Sequence, residues 1–170
     1  MSKIYLASPL GFADSTRDFM SVIESQIAAC GYTVVNPWRL VEAQKFEAAD
    51  LIKNVEKRKR AFHKANLETA AKNEEAIRIC LMVVAVLDGA DVDSGTASEI
   101  GFAYALGKQI YGYRSDFRMA GDNEGSLVNL QVEYWIENSG GCIVSNLDEL
   151  RQRLAEAAVS ARPKTKTRTS

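Results

Sequence analysis

Apolar and polar positions along the chain fall into two alternating patterns. Short runs rich in β-branched and aromatic residues, "KIYLAS" (3–8), "YTVVNP" (32–37), "CLMVVAVLD" (80–88), "QIYGYR" (109–114) and "GCIVS" (141–145), predict five strands. The run at 80–88 is apolar at every position up to Leu87, which predicts a central strand covered on both faces. Helical spacing fills the intervals. Asp14 or Ser15 is placed to cap a helix reaching Cys30, with Phe19, Ile23 and Ile27 on one face and Gly31 just past its end. Residues 40–79 read as helical but polar, with "KNVEKRKR" as a solvated face. A helix following Thr96 carries Ile100, Phe102, Ala103 and Leu106 and stops near Gly107, while 115–128 read as a loop. Asn146 is placed to cap a last amphipathic helix running to residue 161. Strand and helix alternate without repeat or linker. The expected architecture is therefore an α/β three-layer sandwich on a parallel five-stranded sheet.

Composition narrows the picture by exclusion. The chain has 170 residues, 46% of them apolar and 25% charged, which suits one domain with a core of its own. With 21 basic and 22 acidic residues the formal charge is -1, so bulk charge selects neither nucleic acid nor a membrane surface. Basic residues crowd only the tail "RPKTKTRTS" (162–170), expected to be a disordered end beyond a domain spanning 1–161. The three cysteines, Cys30, Cys80 and Cys142, are odd in number and set in apolar contexts, which predicts reduced thiols rather than disulfides or metal ligands. A single histidine, His63, leaves no zinc site of the usual kind. No apolar run has the length of a signal peptide core or a membrane span, and the expected location is cytoplasmic.

The candidate chemistry lies in "LDGADVDSGTASEIGFAYALGK" (87–108), directly after the central strand. Ligands of open α/β sheets bind at the carboxyl ends of strands, where this segment falls. Gly89, Ser94, Gly95 and Ala97 allow a tight turn and close approach of a ligand to the backbone. Capping by Ser94 or Thr96 would place Glu99 in the first helical turn, where the dipole favours a carboxylate able to act as a nucleophile. The same spacing, "TASE", also fits a capping box in which Glu99 returns to Thr96. Asp88 is read as an anchor of the turn.

The residues of "VVAVLDGADVDSGTASEIGFAYALGK", together with "IYLASPLGF" near the start and "VNLQVEYWI" later, resemble the nucleoside 2-deoxyribosyltransferase family. The resemblance runs from residue 3 to about 144. It implies a flavodoxin-like fold, no cofactor, and exchange of the base of a 2'-deoxynucleoside through a covalent deoxyribosyl-enzyme. It also implies that Glu99 is the nucleophile, that Asp93 is an acidic residue of the substrate pocket, and that Tyr5 orients the nucleophile. Phe12 falls where an aromatic lines the base site. Asn129 matches an asparagine that reaches the sugar's 5' end in a neighbouring subunit, so the resemblance implies a homo-oligomer with a shared site. Gln131 stands where many members carry a methionine. Counting back from Ile77, Asn73 of "AKNEEAI" stands where some members have an aspartate that works on the base. Asparagine hydrogen-bonds a base but delivers no proton, which leaves Asp91, Asp93 or water to protonate the leaving group.

The chemistry agrees with that assignment. Cleavage of an N-glycosidic bond passes through an oxocarbenium-like state that a close carboxylate stabilises and then traps. A 2'-hydroxyl destabilises that cation and crowds the nucleophile, so 2'-deoxyribose is the expected sugar. "SPLGFADSTR" holds only Arg17 as a phosphate grip, which favours nucleosides and free bases over nucleotides. Trp38 of "NPWR" reads first as a packing aromatic and second as a roof over the base. Two other readings compete: an N-glycoside hydrolase of nucleoside 5'-monophosphates, and a nucleotide-binding module without turnover.

Overall fold

A computed structural model describes residues 1–160. Five parallel strands, β1 (Lys3–Ala7), β2 (Thr33–Val35), β3 (Met82–Val86), β4 (Gln109–Tyr113) and β5 (Ile143–Val144), form one sheet in the order β2-β1-β3-β4-β5. Tyr5 pairs with Val35 on one side and Val83 on the other, so β1 and β3 sit side by side at the centre. This is the flavodoxin-like order, and the chain reverses direction across the sheet between β1 and β3.

Alternation along the strands assigns the two faces. Ile4, Leu6, Met82, Val84, Tyr111 and Tyr113 point to one side. There they pack on α1 (Asp14–Ala29) and on the carboxy-terminal helix α6 (Leu147–Ser160), through Ile23, Ile27, Leu150 and Leu154. Tyr5, Ala7, Val83, Ala85, Leu87 and Ile110 point to the other. They meet α3 (Val55–Ile79), α4 (Ser94–Ala105) and α5 (Leu130–Asn138) through Ile77, Ile100 and Ile136. All five residues of β3 are buried, as its unbroken apolar run requires. The short helix α2 (Ala43–Asp50) lies against α3, with Phe46 and Phe62 tilted together at 6.4 Å.

Three expectations need correction. Residues 40–79 are not one helix: the chain breaks between α2 and α3, and Asn54 restarts it by accepting from Lys57 N at 3.0 Å. Asp14 is the first residue of α1 rather than its cap, and Ala13 at the cap position makes no side-chain bond. The segment after residue 129, to which no element was assigned, is the helix α5. The cap of α4 is Asp93, not Ser94 or Thr96: its Oδ2 accepts from Thr96 N at 2.9 Å and from Thr96 Oγ1 at 3.2 Å. Glu99 consequently lies in the second turn, and the reciprocal capping box does not form.

Asn146 caps α6 as expected, accepting from Glu149 N at 2.9 Å. Cys30, Cys80 and Cys142 are unpaired thiols. The expected tail, 162–170, lies outside the described residues. Among the described residues no helix is long and apolar enough to cross a membrane.

Candidate active site

The reversal between β1 and β3 opens a cavity of about 210 Å³ at the carboxyl end of the sheet. Four segments build it. After β1, Ser8 and Phe12 lie on the turn that follows the strand; after β2, Pro37, Trp38 and Val41 form a wall; after β3, Asp93, Gly95, Thr96 and Glu99 form the N-terminal half of α4. Thr69 and Asn73, one helical turn apart on α3, close the remaining side.

Glu99 owes its setting to β1. Tyr5 is fully buried, and alternation points it at α4, where its hydroxyl donates to Glu99 Oε1 at 2.6 Å. Burial pushes the Glu99 carboxyl up from 4.5 to about 7; the Tyr5 hydrogen bond opposes this, and the charge of Asp93 adds to it. The same burial and the neighbouring carboxylate hold the Tyr5 phenol well above its ordinary range, so it stays a donor. Glu99 Oε2 accepts no hydrogen bond from the described residues and is left for the cavity. A carboxyl group that titrates near neutrality at the floor of a pocket can serve as a nucleophile once ionised.

The aromatic wall is fixed from behind. Trp38 Nε1 donates to Ser8 O at 2.8 Å, and Phe12 meets the indole edge-to-face at 4.5 Å. Gly11 lies against the ring, and a Cβ there would come within 2.1 Å of the indole. Trp38 is therefore both a packing aromatic and a cavity wall. Phe12 itself is 73% exposed at the rim. Thr69 was missed, although its spacing from Asn73 puts the two on one helix face.

Asp88 anchors the turn as expected, accepting from Ser115 N at 2.6 Å and Asp116 N at 2.8 Å. Gly89 supports the same turn with a φ of +139°, a conformation that side chains resist. Arg114 was not foreseen in this role: it is buried and donates to Leu87 O at 2.5 Å and Arg118 O at 2.7 Å, tying the loop to the end of β3. Asp91 corrects an expectation. It is exposed, accepts from its neighbour Val92 N at 2.7 Å, and does not reach the cavity. Asn129 caps α5 by accepting from Gln131 N at 3.0 Å, and neither residue lines the cavity of its own chain.

A wider groove of about 690 Å³ lies elsewhere, along Met82, Gln109, Cys142 and Arg153, but its one carboxylate, Glu156, is exposed. Among the described residues no group of three or more His, Cys, Asp or Glu is arranged to hold a metal ion.

A parallel sheet in this order, with the Glu99 carboxyl group at its switch point, is an open α/β sheet of the kind whose ligand sites lie at the carboxyl ends of the strands. The family model of nucleoside 2-deoxyribosyltransferases matches residues 4–131, and the chain belongs to that family. Solved structures agree on the fold. A conserved protein from Enterococcus faecalis V583 superposes with a TM-score of 0.68 at 23% identity, covering 92% of this chain and 99% of the other. The 2-deoxyribosyltransferase of Bacillus psychrosaccharolyticus gives 0.58 at 22% identity, covering 88% and 90%. The CMP N-glycosidase BcmB of Clostridium botulinum gives 0.52 at 17%, covering 90% and 98%. A comparison with curated proteins gives no match.

Proposed function

We propose that the protein exchanges the nucleobase of 2'-deoxynucleosides, with Glu99 as the nucleophile. The observation that carries this reading is the Glu99 carboxyl group at the cavity floor, with Oε1 held by Tyr5 and Oε2 unengaged. In the first step Oε2 bonds to C1' of the sugar as the C1'–N bond breaks. The electron pair leaves with the base, which takes its proton from water because Asn73 has none to give and Asp91 does not line the cavity. Asp93, engaged with Thr96, holds α4 in register and adds negative charge beside the developing cation. In the second step a nitrogen of the incoming base attacks C1', loses its proton and releases Glu99. No cofactor takes part.

The competing reading, hydrolysis of nucleoside 5'-monophosphates, needs a partner for the phosphate. Among the described residues no lysine or arginine lines the cavity, which favours nucleosides. Asn129 and Gln131 complete the sugar site from a neighbouring subunit, a role consistent with neither lining the chain's own cavity. The cellular setting that suits this reaction is cytoplasmic salvage of deoxynucleosides.

The test is incubation of thymidine or deoxyinosine with adenine, resolved by chromatography. The expected product is deoxyadenosine, formed only with the acceptor base present. Base release from a 5'-monophosphate at a rate indifferent to added base would support the hydrolase instead. No turnover of any donor would support the binding module.

A further inference from the structure

Arg114 is the one charged side chain among the buried described residues, and the chemistry at the cavity does not use it. Its guanidinium donates to carbonyls alone: to Leu87 O at 2.5 Å, to Gly89 O at 3.3 and 3.2 Å, and to Arg118 O at 2.7 Å. Among the described residues it forms no ion pair. The carboxylates of the same two loops are engaged elsewhere, Asp88 accepting from Ser115 N and Asp116 N, and Asp116 pairing with Arg118. A buried cation without an anionic partner costs folding free energy. What a guanidinium adds is a planar fork of donors that reaches several carbonyls at once.

Those carbonyls belong to the segment that leads to Glu99. Leu87 follows β3, Gly89 lies in the turn after it, and four residues further on Asp93 caps α4. The base of the clamp is firm, because Arg114 N donates to Val144 O at 2.9 Å beside the end of β4. Between Gly89 and Asp93 the side-chain hydrogen bond is a local one, from Val92 N to Asp91 Oδ1. The position of the cap therefore follows from the hold on Leu87 and Gly89 and from the burial of Val92. Asp93 binds Thr96 at the start of α4, and α4 carries Glu99 to the cavity. A displacement of about 1 Å at a reacting group lowers turnover on the order of a hundredfold.

We propose that Arg114 is a positioning residue for base exchange: its guanidinium clamps the Leu87–Gly89 turn and, through Asp93, sets where Glu99 stands in the cavity. The inference rests on the base-exchange reading and adds a residue that touches neither sugar nor base. Loss of the clamp leaves the walls formed by Phe12, Trp38 and Thr69 in place, so it lowers kcat and spares KM. It also reaches the Glu99 carboxyl group. Burial raises the pKa of that group most, the Tyr5 hydrogen bond from β1 lowers it, and the charge of Asp93 raises it, while Thr69 and Asn73 of α3 are neutral. A cap that leaves its place takes its charge from Glu99 and admits water, so the midpoint falls below about 7.

The experiment compares the parent with Arg114→Lys, which keeps the charge without the fork, and Arg114→Met, which keeps the length without either. Each is confirmed as folded by circular dichroism, and exchange between deoxyinosine and adenine gives kcat and KM. Glu99 is titrated in the same proteins by NMR of labelled glutamate carboxyls, its signal identified by its loss in Glu99→Gln. In both variants kcat should fall about tenfold or more with KM within about threefold of the parent's. The Glu99 midpoint should fall by about 0.5 or more, a change that a role in stability alone would not produce. Should one variant fail to fold, the other carries the test. A folded variant with the parent's kcat, a midpoint unmoved as kcat falls, or a loss expressed in KM instead would each overturn the proposal. If the parent itself exchanges no bases, the reaction reading fails and the midpoint alone decides the clamp: lowered in the variants it stands, unmoved it falls.

Discussion

Replacing Glu99 by glutamine should stabilise the protein while abolishing its activity, and the gain should depend on pH in a direction the structure fixes. Burial raises the Glu99 carboxyl from 4.5 to about 7, so the folded state holds this proton more tightly than the unfolded chain does. Below pH 4.5 the group is protonated in both states, and the stability it contributes is fully present. That contribution falls as pH rises and is lost above about 7, where folding must bury the charge. The difference corresponds to about 3 kcal/mol between the two limits. Glutamine keeps the shape and still accepts from the Tyr5 hydroxyl, but carries no charge at any pH. Glu99→Gln should therefore match the parent near pH 4 and exceed it by about 3 kcal/mol at pH 8. For a domain of this size that is a rise of roughly 6–12 °C in Tm. Paired thermal unfolding followed by circular dichroism at pH 4, 6 and 8 measures it, and comparing the two proteins at each pH cancels the other titrating groups. A difference that stays constant from pH 4 to 8, or a parent more stable than the variant at pH 8, would refute the assignment of Glu99 as a strained buried acid. The stability given up at neutral pH would then need another cause than the site.

Other expectations concern the groups around it. Tyr5→Phe removes the hydrogen bond that lowers the Glu99 pKa, so the acid limb of the pH–rate profile, expected near 7 in the parent, should move to higher pH as kcat falls; an unmoved limb would separate Tyr5 from the nucleophile. Gly11→Ala sets a methyl against the Trp38 indole and should displace it, raising KM more than it lowers kcat and changing the indole fluorescence; kinetics and emission both like the parent's would show that the wall tolerates the methyl. Glu99→Ala and Asn129→Ala proteins, each inactive or strongly impaired, should regain exchange activity when mixed under conditions that let subunits trade places. In a two-fold pair each hybrid keeps one intact site, and hybrids confirmed by mass spectrometry that stay inactive would place Asn129 outside its neighbour's site.

The sheet was legible because its strands are short, β-branched and bounded by turn residues, and the unbroken apolar run of 80–87 could only be central. α5 was not, because Val132, Tyr134, Trp135 and Ile136 are residue types that strands favour, and the Asn129 cap with packing on α4 selects the helix. The break between α2 and α3 carries no glycine or proline, and Asn54 is its single local mark. At the start of α4, Asp93, Ser94 and Thr96 are all competent caps within four residues. Tertiary geometry chooses Asp93, which moves Glu99 out of reach of the helix N-terminus and leaves burial to set its pKa. Tyr5 and Asn73 entered by resemblance alone, since their meeting with Glu99 joins segments far apart in the chain. Thr69 required the third dimension.

The central claim is that the sugar is carried by Glu99, and one measurement addresses it directly. A 2'-fluoro-2'-deoxyarabinosyl nucleoside destabilises the cationic state through its fluorine and should slow release of the sugar more than its capture. Mass spectrometry of the treated, proteolysed protein should then find one fluoropentosyl adduct on the peptide containing Glu99, discharged when an acceptor base is added and absent from Glu99→Gln. An adduct on another residue, or base exchange that proceeds with no adduct at all, would contradict the account.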